Sequence, residues 1–385
     1  MICMEIAAAR ERPSRRRFVE LAHACGFELA GVAEALPLGE FAWYRDWVED
    51  GFEGPMGYLA DHRMEVRSDP RNLMGSARSV LCLGKLYNTE YNTEMEAPPR
   101  PANGAAYGTP APGSGSVSRY AWGAVDYHDV LRASLETLAA RLKEFWGDFD
   151  SRVCVDTAPL LERSYARAAG LGWIGRNTCL INEPLGSWFF LGEILVSVQL
   201  PADSPPPDRC GSCTRCIDAC PTQALVPRQG TDGAEWQLDA RLCISTLTIE
   251  QKGATAEATR ADTGYHLFGC DICQDVCPWN RRAPVSAEPA FQPQNACPNL
   301  DEMASMTRDE FRQQFRSTPV WRTKYEGWLR NVATAMGNSG DPRYREALRR
   351  LAAFSDAGVA EHASWALNRL SPAEPAVESQ LTERE

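Results

Sequence analysis

No stretch of the 385 residues approaches the roughly 18 uncharged apolar positions that a membrane-crossing helix needs, so a helical span is excluded. An excess of positive charge is also missing. The net charge is −11, and the chain as a whole is therefore not a general binder of polyanions. The cysteines lack the spread of a disulfide framework. Of 14, eight are crowded between Cys210 and Cys277 at short spacings, which reads as metal or cluster ligation in a reducing compartment. An export signal is incomplete. Ser14-Arg15-Arg16-Arg17-Phe18 resembles a twin-arginine tract, but no apolar core and small-residue cleavage site follow it. Glu20, His23 and Glu28 interrupt the run, which fits an amphipathic helix ending at Gly26. What the chain does have is core material, with 44% hydrophobic and 24% charged residues. Its length suits two or three domains at about 100–200 residues each.

The pattern along the chain divides it into residues 1–200, 201–290 and 291–385. The first part carries a strand-like run at Ser79–Gly84, a helix from Tyr127 to Trp146 and a short strand at Val153-Cys154-Val155. A helix from Pro159 to Ala169 and a buried strand from Phe189 to Leu200 follow. Residues 96–118, rich in Pro, Gly, Ala and Ser, read as a flexible surface insertion. Residues 201–207 (PADSPPP) form a stiff linker. In the last part Trp328–Gly337, Arg343–Phe354 and Val359–Leu370 read as amphipathic helices. The similar stretches LRNVATAMGN and EHASWALNRL suggest a helical repeat of the HEAT type, with a plain helical cap as the alternative.

Cys210-x2-Cys213-x2-Cys216-x3-Cys220-Pro221 matches the bacterial ferredoxin run residue for residue. Cys270-x2-Cys273-x3-Cys277-Pro278 is a second run without its first cysteine, which Cys243 can supply. In such runs the fourth cysteine ligates the other cluster. The spacing therefore assigns Cys210, Cys213, Cys216 and Cys277 to one 4Fe–4S cluster, and Cys220, Cys243, Cys270 and Cys273 to a second. Structural zinc also takes four thiolates, but it does not explain two CxxxCP ends. Two adjacent clusters are an electron relay and do not choose a substrate, so the catalytic centre belongs in the first 200 residues.

Gly170-Leu171-Gly172-Trp173-Ile174-Gly175 fits G-x-G-x-x-G, but a helix precedes it where dinucleotide binding needs a strand. A loop approaching another cofactor is the better reading. Asp126-Tyr127-His128 stands at a helix start, where His128 either packs or acts. Asp156 follows the short strand. It is either the N-cap of the next helix or a general acid at a strand's carboxyl end.

The stretches VDTAPLLERSYARAAGLGWIGRNTCLI, GSWFFLGEIL, CGSCTRCIDACPTQAL, CISTLTIE and FGCDICQDVCPWN resemble the epoxyqueuosine reductase family, as do GFEGPMGYLADHRMEVRSDPRNLMGSARSV and DYHDVLR upstream. The resemblance covers about residues 18–285. It implies an α+β multidomain protein: a cobalamin-binding α/β catalytic domain over 1–200, a ferredoxin-like two-cluster domain over 201–290 and a HEAT-like helical domain over 291–385. The implied reaction reduces epoxyqueuosine to queuosine at the wobble position of a tRNA, the last step of queuosine synthesis. Asp156 matches the family's proton donor, and Asp126 and His128 match positions lining the active site. Arg119, Asp156, Gly175, Arg176, Ser245 and Asp271 are the implied cobalamin contacts. Arg176 stands where lysine is common, and Thr246 where an aromatic is common. A cobalt-ligating D-x-H-x-x-G is absent, because Leu131 takes the final place, so base-off cobalamin without a histidine ligand is expected. Deoxygenating an epoxide consumes two electrons and protons. A carboxylic acid that supplies one must be protonated at working pH, and a pKa raised by burial is expected for Asp156.

Residues 308–350 carry a net +5 against −16 for the rest, a basic patch on an acidic body suited to orienting tRNA. Arg322, Lys324 and Arg330 are the expected contacts there, with Arg312, Arg316, Arg343, Arg345, Arg349 and Arg350 as further candidates. Arg215, Arg281 and Arg282 are the suspects on the cluster domain. A monomeric cytoplasmic enzyme fed by a flavodoxin or ferredoxin system is expected. The rivals are a reductive dehalogenase-like reductase of a small molecule, and a plain electron-transfer module that would leave the first 200 residues without a task.

Overall fold

The computed structural model describes residues 11–89, 111–228 and 235–370. Its strands are β1 (Leu29–Glu34), β2 (Ser79–Leu86), β3 (Ser116–Val117), β4 (Ser151–Cys154), β5 (Trp173–Ile174), β6 (Leu180–Ile181), β7 (Phe189–Val196), β8 (Leu225–Pro227), β9 (Trp236–Leu238) and β10 (His266–Phe268). The main sheet has the order β1-β2-β7-β4 and is antiparallel throughout. Helices Arg15–Ala24 and Tyr127–Trp146 cover one face, and helix Glu162–Ala168 covers the other. Alternation divides the strands accordingly. Leu81, Leu83, Ile194 and Val196 join the first core, whereas Val80, Cys82, Leu86 and Leu195 join the second. Burial on both faces explains why β2 and β7 read as continuous apolar runs.

The SRRRF tract is a helix start. Ser14 Oγ accepts from the Arg17 N–H, and Phe18 is fully buried. Two glycines in the left-handed region end helices in the same way. Gly26 (φ +83°) donates to His23 O while Phe27 donates to Ala22 O. Gly170 (φ +79°) donates to Arg167 O while Leu171 donates to Ala166 O. The first glycine of GLGWIG is thus a helix terminator.

Some boundaries differ from expectation. β4 stops at Cys154, β7 stops at Val196, and the helix expected from Pro159 starts at Glu162. Of the proposed 96–118 insertion, 96–110 lies outside the described residues. Residues 111–118 do not behave as a flexible insertion: Val117 and Ser118 are buried, and β3 pairs in parallel with β10.

The carboxyl-terminal helices Lys324–Ser339, Arg345–Ala352 and Ala357–Leu370 pack on one another. Their core is continuous with Val117, Trp122, Leu267 and Phe268, so it extends across β3 and β10. Arg330, expected at the tRNA surface, lies in this join and is 2% exposed. Its guanidinium donates to Leu247 O at 2.8 Å, Gln251 O at 2.6 Å and Gly253 O at 2.8 Å. That commitment corrects the expected phosphate contact to a structural one. Arg330→Met is expected to cost on the order of 3 kcal/mol by stranding buried carbonyls. A lower urea midpoint with an unchanged salt slope of tRNA binding checks it.

Candidate active site and cluster ligands

Three segments converge at the carboxyl end of β4. Asp126 caps helix Tyr127–Trp146: its Oδ1 accepts from the His128 N–H at 3.0 Å, and its own N–H donates to Ser317 O at 2.6 Å. The same Oδ1 lies 2.8 Å from His128 Nδ1. His128 Nε2 lies 3.1 Å from Asp156 Oδ2, which also accepts from Tyr127 Oη at 2.9 Å. Asp156 has φ +43°, a conformation that Asp tolerates better than most residues. It caps no helix, since the N-cap of helix Glu162–Ala168 is Leu161. The capping reading of Asp156 therefore falls. Asp126, His128 and Asp156 form one hydrogen-bonded line.

The charges on that line differ from expectation. Burial favours the neutral form of Asp156, but its side chain is still 49% exposed, so this effect is incomplete. The His128 hydrogen bond, the charges of Arg322 and His128, and the Tyr127 hydroxyl outweigh it and hold the carboxyl below its ordinary range. The raised pKa expected for Asp156 is thus reversed. Burial also opposes charge on His128, but hydrogen bonds to Asp126 and Asp156 push its pKa up to about 9. At neutral pH the stored proton sits on the imidazole, between two carboxylates.

Arg322 was expected on an outer surface that grips phosphates. It enters this site instead, from the turn Pro319–Thr323, with Nη1 3.7 Å from Asp156 Oδ2 and Nη2 3.9 Å from Asp126 Oδ1. Nη2 also lies 2.7 Å from His128 Nδ1. Both groups are donors when His128 is charged, and the Arg322 charge opposes protonation of His128. Tyr58, 39% exposed, and Glu250 complete the surroundings; burial raises both of their pKa values, and Asp156 and Arg322 lie in their electrostatic reach. Sequence reasoning missed Tyr58 and Glu250 and misplaced Arg322, because no spacing links residues 58, 156, 250 and 322. Arg312 and Arg316 line a surface depression with Asp309, Gln313 and Ser317; the Ser317 carbonyl is the one that receives the Asp126 N–H. Lys324, Arg215, Arg281 and Arg282 are exposed, as are Arg343, Arg349 and Arg350, whereas Arg345 donates to Leu370 O.

The cysteines fall into two neighbourhoods. Burial raises the Cys216 thiol to about 12, and Cys210, Cys277 and Cys213 add to this. Burial likewise raises Cys270, with Cys243 and Cys220 as further causes, and Cys273 feels Cys270 and Cys243. Such crowded thiols resist ionisation until metal charge compensates them. Among the described residues, no three His, Cys, Asp or Glu side chains stand close enough to share one metal ion. The thiolates of a four-iron cluster bind different irons and stand farther apart than the ligands of one zinc ion. Cys179 and Cys273 are neighbours whose thiols influence each other. Cys82 and Cys154 are buried in the sheet, and Cys3 lies outside the described residues.

Close packing by itself requires the glycines of this loop. A Cβ at Gly172 or Gly175 would collide with Ile181, and the Gly175 N–H donates to Cys179 O at 2.9 Å. Arg176 donates to Gly211 O at 2.7 Å and to Cys213 O at 3.2 Å, so it fastens this loop to the first cysteine run. Arg119 and Asp271 are partners: the Arg119 N–H donates to Asp271 Oδ2 at 2.6 Å, and Ser118 Oγ holds Oδ1. Arg119 Nε and Thr89 Oγ1 are buried polar atoms without a protein partner, as a cofactor rich in amide groups would satisfy. Ser245 is half-buried two residues after Cys243.

An acid–base line beside a two-cluster cysteine module defines an iron–sulfur oxidoreductase. Residues 209–280 match the family described as a 4Fe-4S double cluster binding domain, and residues 67–157 match "Epoxyqueuosine reductase QueG, DUF1730". The epoxyqueuosine reductase of Xanthomonas campestris is 41% identical over 371 residues, covering 94% of this chain and 99% of that one. That of Pseudomonas aeruginosa is 40% identical, covering 89% and 91%. A crystal structure of epoxyqueuosine reductase with a tRNA-Tyr epoxyqueuosine-modified stem loop superposes with a TM-score of 0.80 at 28% identity, covering 92% of this chain and 89% of that chain. The chain belongs to the epoxyqueuosine reductase family.

Proposed function

We propose that this chain reduces epoxyqueuosine in tRNA to queuosine, with electrons entering through two 4Fe–4S clusters and protons through His128 and Asp156. The observation that carries the reading is the Asp126–His128–Asp156 line, which opens beside Arg322 and Tyr58. The ligand sets are Cys210, Cys213, Cys216 and Cys277 for one cluster, and Cys220, Cys243, Cys270 and Cys273 for the other. Arg119, Ser245 and Asp271 would hold cobalamin, whose reduced cobalt supplies the electron pair the reaction consumes. Both C–O bonds of the epoxide break, two electrons and two protons are taken up, and the oxygen leaves as water while an alkene forms.

The residues do the proton work. His128 keeps one proton ready, and Asp156 is the group that meets the substrate. Closing substrate over the half-exposed Asp156 removes water, which raises its pKa and draws the proton from His128 3.1 Å away. The left-handed backbone of Asp156 suits a moving turn. The Bacillus subtilis relative, 26% identical with a TM-score of 0.74, was solved with its catalytic aspartate loop swung out of the active site.

A single nucleotide fits such a site only if it leaves its stack. Arg312 and Arg316 line a surface depression that includes Ser317, whose carbonyl receives the Asp126 N–H, and are suited to phosphates. A monomer working in the cytoplasm, with a flavodoxin or ferredoxin as donor, completes the proposal. The test is anaerobic incubation of iron-loaded protein with an epoxyqueuosine stem loop and a reductant, with and without cobalamin. Nucleoside mass spectrometry should find loss of one oxygen only with cobalamin. No conversion by fully loaded protein overturns the reading.

A further inference from the structure

Directly behind Asp156 lies a second acidic group that the reaction as described leaves unused. Glu193 sits in the middle of β7 with 0% exposure, and neither carboxyl oxygen has a hydrogen-bond partner. Strand register sets Cys82 of β2 and Cys154 of β4 on either side of it. Glu162, at the start of the helix that covers this face, is its carboxyl neighbour, and Glu162 Oε1 is likewise buried without a hydrogen-bond partner. Glu162 also lies within reach of the backbone N–H of Asp156, which acts to lower its pKa. The groups facing the pair are Asp156 and Cys154 from the β4 end, Cys82 from β2, and Arg163 on the helix itself. Arg163 is the one cation among these. Two carboxyl groups in contact, buried from water and facing one outer arginine, cannot both ionise. A hydrogen bond between them can form only if one carries a proton.

We propose that Glu162 and Glu193 share one proton beneath Asp156, and that Glu162 is a positioning residue whose carboxyl holds the Asp156 main chain in its left-handed turn. The chain of support runs from Glu193 in the rigid sheet, to Glu162, to the Asp156 N–H, and so to the carboxylate that faces His128. The shared proton leaves the pair one negative charge instead of two beneath Asp156, on the side that Arg163 faces. Burial and the neighbouring carboxylates are consistent with this, since they raise Glu162 from 4.5 to about 8 and Glu193 well above its ordinary value. The proposal rests on the reading of Asp156 as the acid for its functional half only.

The experiment has two arms on the iron-loaded holoenzyme. Infrared difference spectra against pH, without tRNA, should contain the C=O stretch of a buried protonated carboxylic acid at pH 7, lost only at alkaline pH. Glu193→Gln, a near-isostere that donates N–H to Glu162, should abolish that band. Absence of the band in the native protein, or its persistence in Glu193→Gln, overturns the shared proton. In the second arm, Glu162→Leu should lower kcat about 10–100-fold, as misplaced groups do, with KM for the stem loop unchanged. Glu162→Gln, which keeps an acceptor for the Asp156 N–H, should recover most of the loss. Equal kcat in Glu162→Leu and native protein, or no recovery in Glu162→Gln, overturns the positioning role. Should Glu162→Leu fail to fold, the infrared arm and Glu162→Gln still decide. If Asp156→Asn retains turnover, the acid reading fails while the infrared result stands on its own.

Discussion

Cys243→Ala should halve the iron content, from about eight to about four per chain, and abolish turnover. Cys243 is the isolated thiol of the set, held at the N-cap of helix Ile244–Ile249 with Cys220 and Cys270 as neighbours. It cannot be replaced from within either run, because the other seven thiols are already assigned. Loss of one cluster breaks a two-cluster relay, so the effect on turnover is not proportional to the iron lost. Cys25→Ala is the control: this thiol lies near Arg141, away from both groups, and its loss should leave iron at about eight. A Cys243→Ala protein that keeps its full iron would mean that another thiol serves. Cys179, the neighbour of Cys273, is the one placed to do so, and Cys179→Ala combined with Cys243→Ala identifies it.

The cysteine runs were legible because cluster ligation imposes short covalent spacings that survive any tertiary arrangement. The helix from Tyr127 to Trp146 was legible to the residue because Leu131, Leu135, Leu138 and Leu142 mark one buried stripe and Asp126 and Gly147 bracket it. The turn between β4 and Glu162 was harder. Pro159 looks like a first helical position, yet the chain spends residues 157–161 placing Asp156 before the helix begins. The glycine motif is ambiguous for a related reason: a helix terminator and two close packing contacts each demand glycine, whatever ligand lies near. Arg322 and Arg330 expose the limit of charge counting. Both lie in the basic segment, but one points into the catalytic site and the other is buried under three carbonyls. Only the fold distinguishes them from Arg312 and Arg316 on the surface. Charge state was the least legible property. Asp156 was expected to be neutral through burial, but the cations beside it, His128 and Arg322, come from remote segments of the sequence.

Those cations determine what Asp156→Asn and His128→Gln should do. Asp156→Asn removes the only carboxylate on the substrate side of the line and should lower kcat by about 10²–10⁴-fold, the usual worth of general acid catalysis. Iron content and stem-loop KM should hold, because Asp156 ligates no cluster and caps no helix. The pH profile separates the two residues. His128 has its pKa raised from 6.5 to about 9, so it is charged throughout the neutral range and loses its proton only as pH climbs through about 9. Native turnover should therefore be level across neutral pH and fall above it. His128→Gln keeps a donor toward Asp156 but stores no proton, so turnover should drop and that alkaline limb should vanish. Asp156→Asn removes one of the two carboxylates that stabilise the imidazolium, and the limb of its residual rate should move to lower pH. A native profile without an alkaline limb would place the stored proton elsewhere than His128. Near-native turnover in Asp156→Asn with full iron would remove Asp156 from the chemistry and leave His128 as the direct donor.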